Sequence, residues 1–269
     1  MPGFTSKTRE RLQHKTPSKP QHAPHKWNKP AYGQKTQLAP IDTTPLLSKE
    51  EMKYVQKCVG ALLYYAPAVD PCILPEINEI SGQQAKPTEQ TLEAYTMLLD
   101  YVATYPDAII SYHASDMVFY VDSDAAYLVL PNARSSYAGH FFLGDTPPPP
   151  TTKPSSKPNG AILTNCKTIR GVMASAAKTE TGGVFGNAQD AIVVRIALLA
   201  LRHKQPATPI KTDNSTCNSF VHSNIRQRRS PAKLRLILLL DARFNHNNYK
   251  TSSSYSSQSA KTTICFTST

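Results

Sequence analysis

The sequence predicts an α/β fold in which a meander of three antiparallel strands is followed by a helix, a strand and a second helix. Three apolar segments, the first beginning near Met117, are separated by turn-forming residues. After them, apolar residues recur at helical spacing over residues 175–202. Residues 209–213 then read as a short strand, followed by a helix capped near Asn214 or Ser215.

The first 47 residues are predicted to form a disordered basic tail. Residues 1–40 carry eight basic residues against one acid, Glu10, and are rich in Pro, Gln and His. The whole chain of 269 residues has a net charge of +11. This balance suits a polyanionic partner such as nucleic acid or an anionic membrane surface, and a basic tail on an ordinary domain is the alternative.

Residues 48–115 are predicted to be a helical segment with a structural role. Ser48 and Glu51 form an S-x-x-E capping box, which predicts a helix over residues 49–65. The prolines of "PAVDPCILP" end it. Thr88 is a possible cap for a second helix, in which apolar residues again fall at helical spacing.

The meander follows from three strand candidates. Residues 117–121 form the first, which residues 126–130 continue beyond a local irregularity, and residues 135–143 form the second. The proline-rich "TPPPPTTKPSSKPNG" cannot join a sheet and is predicted to be a loop, after which "AILTNCKTIRGV" supplies the third strand. The last twenty or so residues read as a Ser/Thr-rich tail.

Cysteine usage and hydropathy predict an intracellular protein. The five cysteines are scattered and form no C-x-x-C pair, so we interpret them as reduced thiols. No N-terminal segment resembles a signal peptide, and no uninterrupted run reaches about 18 apolar residues, so no transmembrane helix or membrane partner is predicted.

Three acidic residues fall at informative places in the predicted element order. Asp122 ends the first strand, Glu180 opens the following helix and Asp213 ends the fourth strand. If the fourth strand pairs with the first in parallel, the three carboxylates meet at one point. They would repel one another unless a divalent cation such as Mg²⁺ or Mn²⁺ neutralised them. Each acid alone is equally typical of a turn or a helix start.

Several segments resemble the ribonuclease H domain of copia-type retrotransposon polyproteins. They are "FYVDSDAAY", "RSSYAGHFFLGD", "NGAILTNCKTIRGVMASAAKTETGGVFGNAQDA" and "TPIKTDNSTCNSFVHSNIRQRRS". Upstream, "TLEAYTMLLDYVATYP" resembles the segment that joins reverse transcriptase to this domain. The resemblance covers roughly two-thirds of the chain and divides it into a connection over residues 48–115, a ribonuclease H-like domain over 116–230 and a divergent, partly disordered tail over 231–269.

The resemblance implies a ribonuclease H-like mixed sheet, three antiparallel strands plus a parallel one, with flanking helices. It implies metal-dependent hydrolysis of RNA in RNA/DNA hybrids, with Asp122, Glu180 and Asp213 as catalytic ligands of two Mg²⁺ or Mn²⁺ ions. The rest of a retrotransposon polyprotein is a further expected partner. The basic tract Arg226, Arg228 and Arg229 would contact phosphates, or would simply be a solvated loop.

The sequence also departs from this family. Lys178 stands where the family helix motif usually has a further glutamate. The usual fourth carboxylate has no counterpart, because Asp241 is the only acid beyond Asp213 and lies in a segment unlike the family. This change after Ser230 indicates a shifted reading frame or a decayed copy. An inactive remnant that at most binds nucleic acid is therefore the alternative function.

A polymerase is a poor alternative. The stretch "YVDSD" resembles the Y-x-D-D motif, but the second aspartate is displaced by one residue. Palm and fingers would also need far more chain than precedes Phe119. The first aspartate is therefore better interpreted as part of a ribonuclease H-like strand, with Asp124 as a turn residue or a neighbour of the metal ligands.

Overall fold

The computed structural model describes residues 3–26, 42–146, 159–214, 217 and 262–266 of the chain. Along these residues, helices come first, and a block of strands with one further helix follows. The helices are α1 (Phe4–Arg11), α2 (Lys49–Ala68), α3 (Leu74–Gln83), α4 (Glu89–Thr104) and α5 (Ala176–Ala200), with a 3₁₀ turn at Pro71–Ile73. The strands are β1 (Val118–Leu130), β2 (Arg134–Gly144), β3 (Ala161–Thr168), β4 (Thr208–Thr212) and β5 (Thr262–Phe266).

The chain divides into two compact units. The first, which we call the helical unit, comprises Met1–Ile110 with the strand ends Leu128–Arg134 and Thr164–Thr168. The second, the sheet unit, comprises Ser111–Tyr127, Ser135–Leu163 and Ile169–Thr269. The helical unit has its own apolar core, contributed mainly by α2, α3 and α4.

The two predicted helix starts in the helical unit are confirmed. The Ser48 hydroxyl accepts from the backbone N–H of Glu51, and the Glu51 carboxylate accepts in return from the backbone N–H of Ser48. Thr88 caps α4 by accepting from the backbone N–H of Thr91. Each cap satisfies N–H groups that lack partners within the helix, which is why the chain turns helical at these points.

Two parts of the helical unit differ from the prediction. Helix α2 continues through Pro67 to Ala68, beyond the end predicted at residue 65. Helix α3 begins with Pro75 in its first turn, where a proline is tolerated. Residues 3–26, expected to be disordered, include α1 and pack on the helices: Phe4 stacks on Tyr65 with ring centroids 5.3 Å apart. His14 Nε2 lies 2.8 Å from a carboxylate oxygen of Asp100. Sparse apolar residues are enough to dock this segment on an existing core.

The predicted mixed sheet is confirmed in its coarse form. The strand order is β3-β2-β1-β4-β5. Strands β1 and β4 are parallel, with Val121 level with Ile210 and Asp122 level with Lys211. The parallel pair requires a crossover, which α5 provides between β3 and β4.

Strand β1 joins the two segments predicted for it without the irregularity expected between residues 121 and 126. A left-handed φ of 56° occurs instead at Leu128, within the second segment. The turn to β2 takes Asn132 and Ala133 into the same region, at φ 60° and 54°. Asparagine tolerates this conformation, whereas alanine adopts it at an energetic cost. The hairpin turn is therefore strained at Ala133.

Helix α5 covers one face of the sheet. Phe119 and Val121 of β1, Phe141 of β2 and Ile210 of β4 are all at most 1% exposed, and they form one apolar cluster with α5. The helix contributes Val184, Ala188, Ala191 and Leu198. On the opposite face, Tyr120 stacks on Phe142 at 5.4 Å. Successive side chains of β1 thus point to opposite faces of the sheet, as expected for a pleated strand.

The C-terminal part of the chain contains one strand that the sequence did not predict. Strand β5, within the expected Ser/Thr-rich tail, pairs antiparallel with β4, and Thr262 lies level with Thr212. After β4, the Asn214 side chain accepts from the backbone N–H of Cys217 at 2.9 Å, which agrees with a cap at Asn214. The proline-rich loop over residues 147–158 lies outside the described residues.

Among the described residues, α5 alone is long and apolar enough to cross a membrane by length and composition. Core helices of globular proteins meet the same criterion, and one face of α5 packs on the sheet. The criterion is therefore weak grounds for a membrane span.

Candidate metal centre

Three carboxylates converge where β1, β4 and α5 meet. One oxygen from each of Asp124, Glu180 and Asp213 lies within 4.8 Å of the other two. Asp124 and Asp213 are exposed to solvent, whereas Glu180 is 7% exposed. We call this group the acidic triad. It contains two of the three predicted ligands, Glu180 and Asp213, with Asp124 in place of the third.

The replaced ligand is Asp122, and the register of the sheet gives the reason. Because Asp122 is level with Lys211, continuing the parallel register by two residues places Asp124 level with Asp213. Asp122 is not part of the triad. The assignment of Asp122 as the first ligand is therefore corrected to Asp124.

Glu180 lies between the middle of β1 and the end of β4. Its carboxylate accepts from the backbone N–H of Ala125. It also accepts from the hydroxyl of Thr212, with the two oxygens 3.5 Å apart. Helix α5 begins at the cap Ser175, whose hydroxyl accepts from the backbone N–H of Lys178, so Glu180 lies in the second turn. One side chain thus bridges both strands from the helix.

The triad shifts the titration of its buried member. Burial, together with the neighbouring charges of Asp124 and Asp213, raises the pKa of Glu180 to about 7, against hydrogen bonds from Ala125 and Thr212 that lower it. Like charges this close favour either a proton or a cation between them. Three hard oxygen donors fit Mg²⁺ or Mn²⁺ better than a soft metal.

Asp122 has a different environment. Tyr120 faces away from α5, and Asp122, two residues further along the strand, lies on the face of Tyr120. On that side Lys211 Nζ lies 5.3 Å from the centre of the Tyr120 ring. Within the described part of the chain, Asp122 Oδ1 is buried without a hydrogen-bond partner. This environment, in which Lys211 is level with Asp122 in the sheet, differs from that of the triad.

Two other predictions concern residues that follow β4 in the sequence. Cys217 is fully buried, and burial raises the pKa of its thiol to about 11, which agrees with a packing role and not with a nucleophile. Arg226, Arg228 and Arg229 lie outside the described residues, and so does Asp241.

Comparisons of the chain with models of protein families, with curated proteins and with solved structures find no match.

Proposed function

We propose that the chain is a retrotransposon-derived, ribonuclease H-like protein that hydrolyses RNA in RNA/DNA hybrids with a divalent metal. The observation that carries the proposal is the acidic triad, in which Asp124 of β1, Glu180 of α5 and Asp213, directly after β4, offer carboxylate oxygens within 4.8 Å of one another. Divalent cations held by such carboxylates are typical of metal-dependent phosphodiester hydrolysis.

The topology supports the same proposal. The meander β1-β2-β3, the crossover α5 and the parallel strand β4 follow the order expected from the family resemblance. The resemblance also expects an acid on the first strand, one near the start of the helix and one at the end of the fourth strand. Asp124, Glu180 and Asp213 meet these positions, with Asp124 two residues beyond the expected one.

Asp124, Glu180 and Asp213 would hold the metal. When bound, Mg²⁺ or Mn²⁺ would supply Lewis-acid stabilisation of the scissile phosphate and a more acidic water. The protein's own part is to fix the three carboxylates: Thr212 and Ala125 orient Glu180 by donating to it. The exposure of Asp124 and Asp213 leaves the triad open to a large substrate.

The net charge of +11 supports a nucleic-acid substrate. Phosphate contacts from lysine and arginine carry affinity without reading sequence, so we expect binding to weaken steeply as salt is raised. The tract Arg226, Arg228 and Arg229 remains a proposed part of this surface.

The test is cleavage of a labelled RNA/DNA hybrid with Mg²⁺ or Mn²⁺. We expect cleavage of the RNA strand that EDTA and Glu180→Gln both abolish, with single-stranded RNA and duplex DNA left intact. Cleavage that persists in Glu180→Gln, or in EDTA, would contradict the proposed site.

A catalytically inactive remnant that binds nucleic acid is the second candidate. Two observations favour it: Lys178 replaces the further glutamate of the family motif, and the triad has no fourth acidic member among the described residues. In that case the same hybrid binds in a salt-dependent manner, and neither metal supports cleavage.

A further inference from the structure

Helix α5 approaches the sheet unusually closely through two glycines. A Cβ on Gly183 would lie 3.0 Å from the Cβ of Tyr137 and 3.2 Å from that of Ala125. A Cβ on Gly186 would lie 2.6 Å from the Tyr137 hydroxyl oxygen. A side chain at either position would displace Tyr137 or part of β1, so both glycines favour this close approach.

A buried amide lies at the centre of this contact. Asn187 is fully buried, and its Nδ2 donates to Ser123 Oγ of β1 and to the carbonyl of Ala138 of β2, both at 2.9 Å. A Cβ on Gly139 would collide with Asn187 Oδ1, so the neighbouring position of β2 also requires glycine. The amide thus bridges the helix and two strands.

The amide restricts the helix more than the apolar contacts do. Val184, Ala188 and Ala191 pack on the same face, and small apolar residues tolerate sliding along a sheet. Hydrogen bonds are directional, and a buried amide left without partners is unfavourable. Asn187 can therefore make both hydrogen bonds only when α5 has one particular position along its axis and one rotation about it.

The amide lies on the same face of the helix as the triad ligand. Glu180 precedes Asn187 by seven residues, or two turns, so the two side chains project in nearly the same direction, roughly 10 Å apart along the axis. Ser123, which accepts from Asn187, is adjacent to Asp124 in β1. One hydrogen bond thus connects the helix that carries Glu180 to the strand that carries Asp124.

We propose that Asn187 is a positioning residue that fixes α5 against β1 and β2, so that Glu180 lies beside Asp124 and Asp213. This inference rests on the proposed function in taking the triad as a metal site. Asn187 is buried and would touch neither metal nor substrate, and it would act only through the placement of Glu180.

The first test compares Asn187→Ala with Leu198→Ala in Mn²⁺ binding by the full chain. Leu198 is 7% exposed on the same helix but far from the triad, so its truncation also removes buried contacts. We expect Asn187→Ala to weaken Mn²⁺ binding about ten- to a hundredfold, as loss of a supporting residue commonly does, and Leu198→Ala to leave it unchanged. Equal affinities in the two variants would overturn the proposal.

A milder variant guards against misfolding. Ser123→Ala removes one of the two acceptors and leaves the bond to Ala138, so we expect a smaller loss of Mn²⁺ affinity in a folded protein. If Asn187→Ala does not fold, wild-type affinity in Ser123→Ala would overturn the proposal.

A metal-free measurement separates this inference from the proposed function. The backbone N–H of Ala125 donates to Glu180 and lies 2.9 Å from Asp124 Oδ1, so its amide resonance reports the placement of both carboxylates. We expect this resonance to shift in Asn187→Ala and not in Leu198→Ala. If the wild type binds no Mn²⁺, the metal site fails, but this comparison still decides the role of Asn187.

Discussion

Two buried glutamates, one in each unit, titrate alike but have different charged neighbours. In the helical unit, burial raises the pKa of Glu76 to about 7, with a smaller contribution from Glu79 on the same helix. In the sheet unit, burial raises the pKa of Glu180 to about 7 as well, but its charged neighbours Asp124 and Asp213 come from other parts of the chain.

The difference shows which observation points to function. A raised pKa follows from burial alone, so it does not distinguish a structural carboxyl from a ligand. Convergence of acids from a helix and two strands requires the tertiary fold, and the fold keeps it at the cost of repulsion. We therefore expect divalent metal to affect Glu180 and to leave Glu76 unaffected.

The largest expected effect separates the two aspartates of β1. We expect Asp124→Asn to weaken Mn²⁺ binding about a hundredfold, because it removes a ligand, and Asp122→Asn to change it by about threefold at most. Titration calorimetry on the two variants measures this directly. The reverse order would restore Asp122 as the ligand and contradict the register argument.

The second effect is the pH dependence of metal binding. Glu180, with its pKa of about 7, must lose its proton before it can bind a cation. Mn²⁺ affinity should therefore fall about tenfold for each pH unit below 7 and level off above it. An affinity that stays constant down to pH 5.5 would show that Glu180 does not take part.

The third effect tests the structural carboxyl by stability. The pKa of Glu76 is about 7 in the folded protein against an ordinary value of 4.5, so its contribution to stability is fully present below pH 4.5 and is lost as the pH rises through 7. Glu76→Gln should therefore have a free energy of unfolding about 2 kcal/mol higher than that of the wild type at pH 8, measured by urea denaturation. At pH 4.5 the two proteins should be equally stable.

Metal provides the control for this measurement. Saturating Mn²⁺ should stabilise both the wild type and Glu76→Gln, because ligand binding to the folded state raises its stability. It should not stabilise Glu180→Gln. Equal stabilisation of all three proteins would place the metal elsewhere.

The smallest effect concerns the cap of α2. Ser48→Ala removes the hydroxyl that accepts from the backbone N–H of Glu51 and donates to the Glu51 carboxylate. It should lower the free energy of unfolding by about 1 kcal/mol. Ser48→Thr, which keeps the hydroxyl, should retain most of it. Mn²⁺ affinity should be unchanged in both variants, and a change would show that the helical unit influences the triad.

Local signals in the sequence predicted much of the fold. The capping box at Ser48, the cap at Thr88 and the strand candidates depend on residues close together in the chain, so they could be interpreted without a structure. The segment containing α1 and the strand β5 were missed, because their order comes from partners far away in sequence.

The site was predicted only to within two residues for the same reason. Glu180 and Asp213 mark unique positions, at the start of a helix and the end of a strand. Asp122 and Asp124 are only two residues apart in β1, and the pairing of β1 with β4 decides between them. Inter-strand register is a tertiary property that a single sequence does not reveal.

The turn between β1 and β2 has a practical consequence for these experiments. Ala133 is held at φ 54°, where glycine carries no steric penalty and alanine costs roughly 1 kcal/mol. An Ala133→Gly background should therefore give a more robust starting protein. In it, truncations as severe as Leu198→Ala could be purified and measured in the folded state.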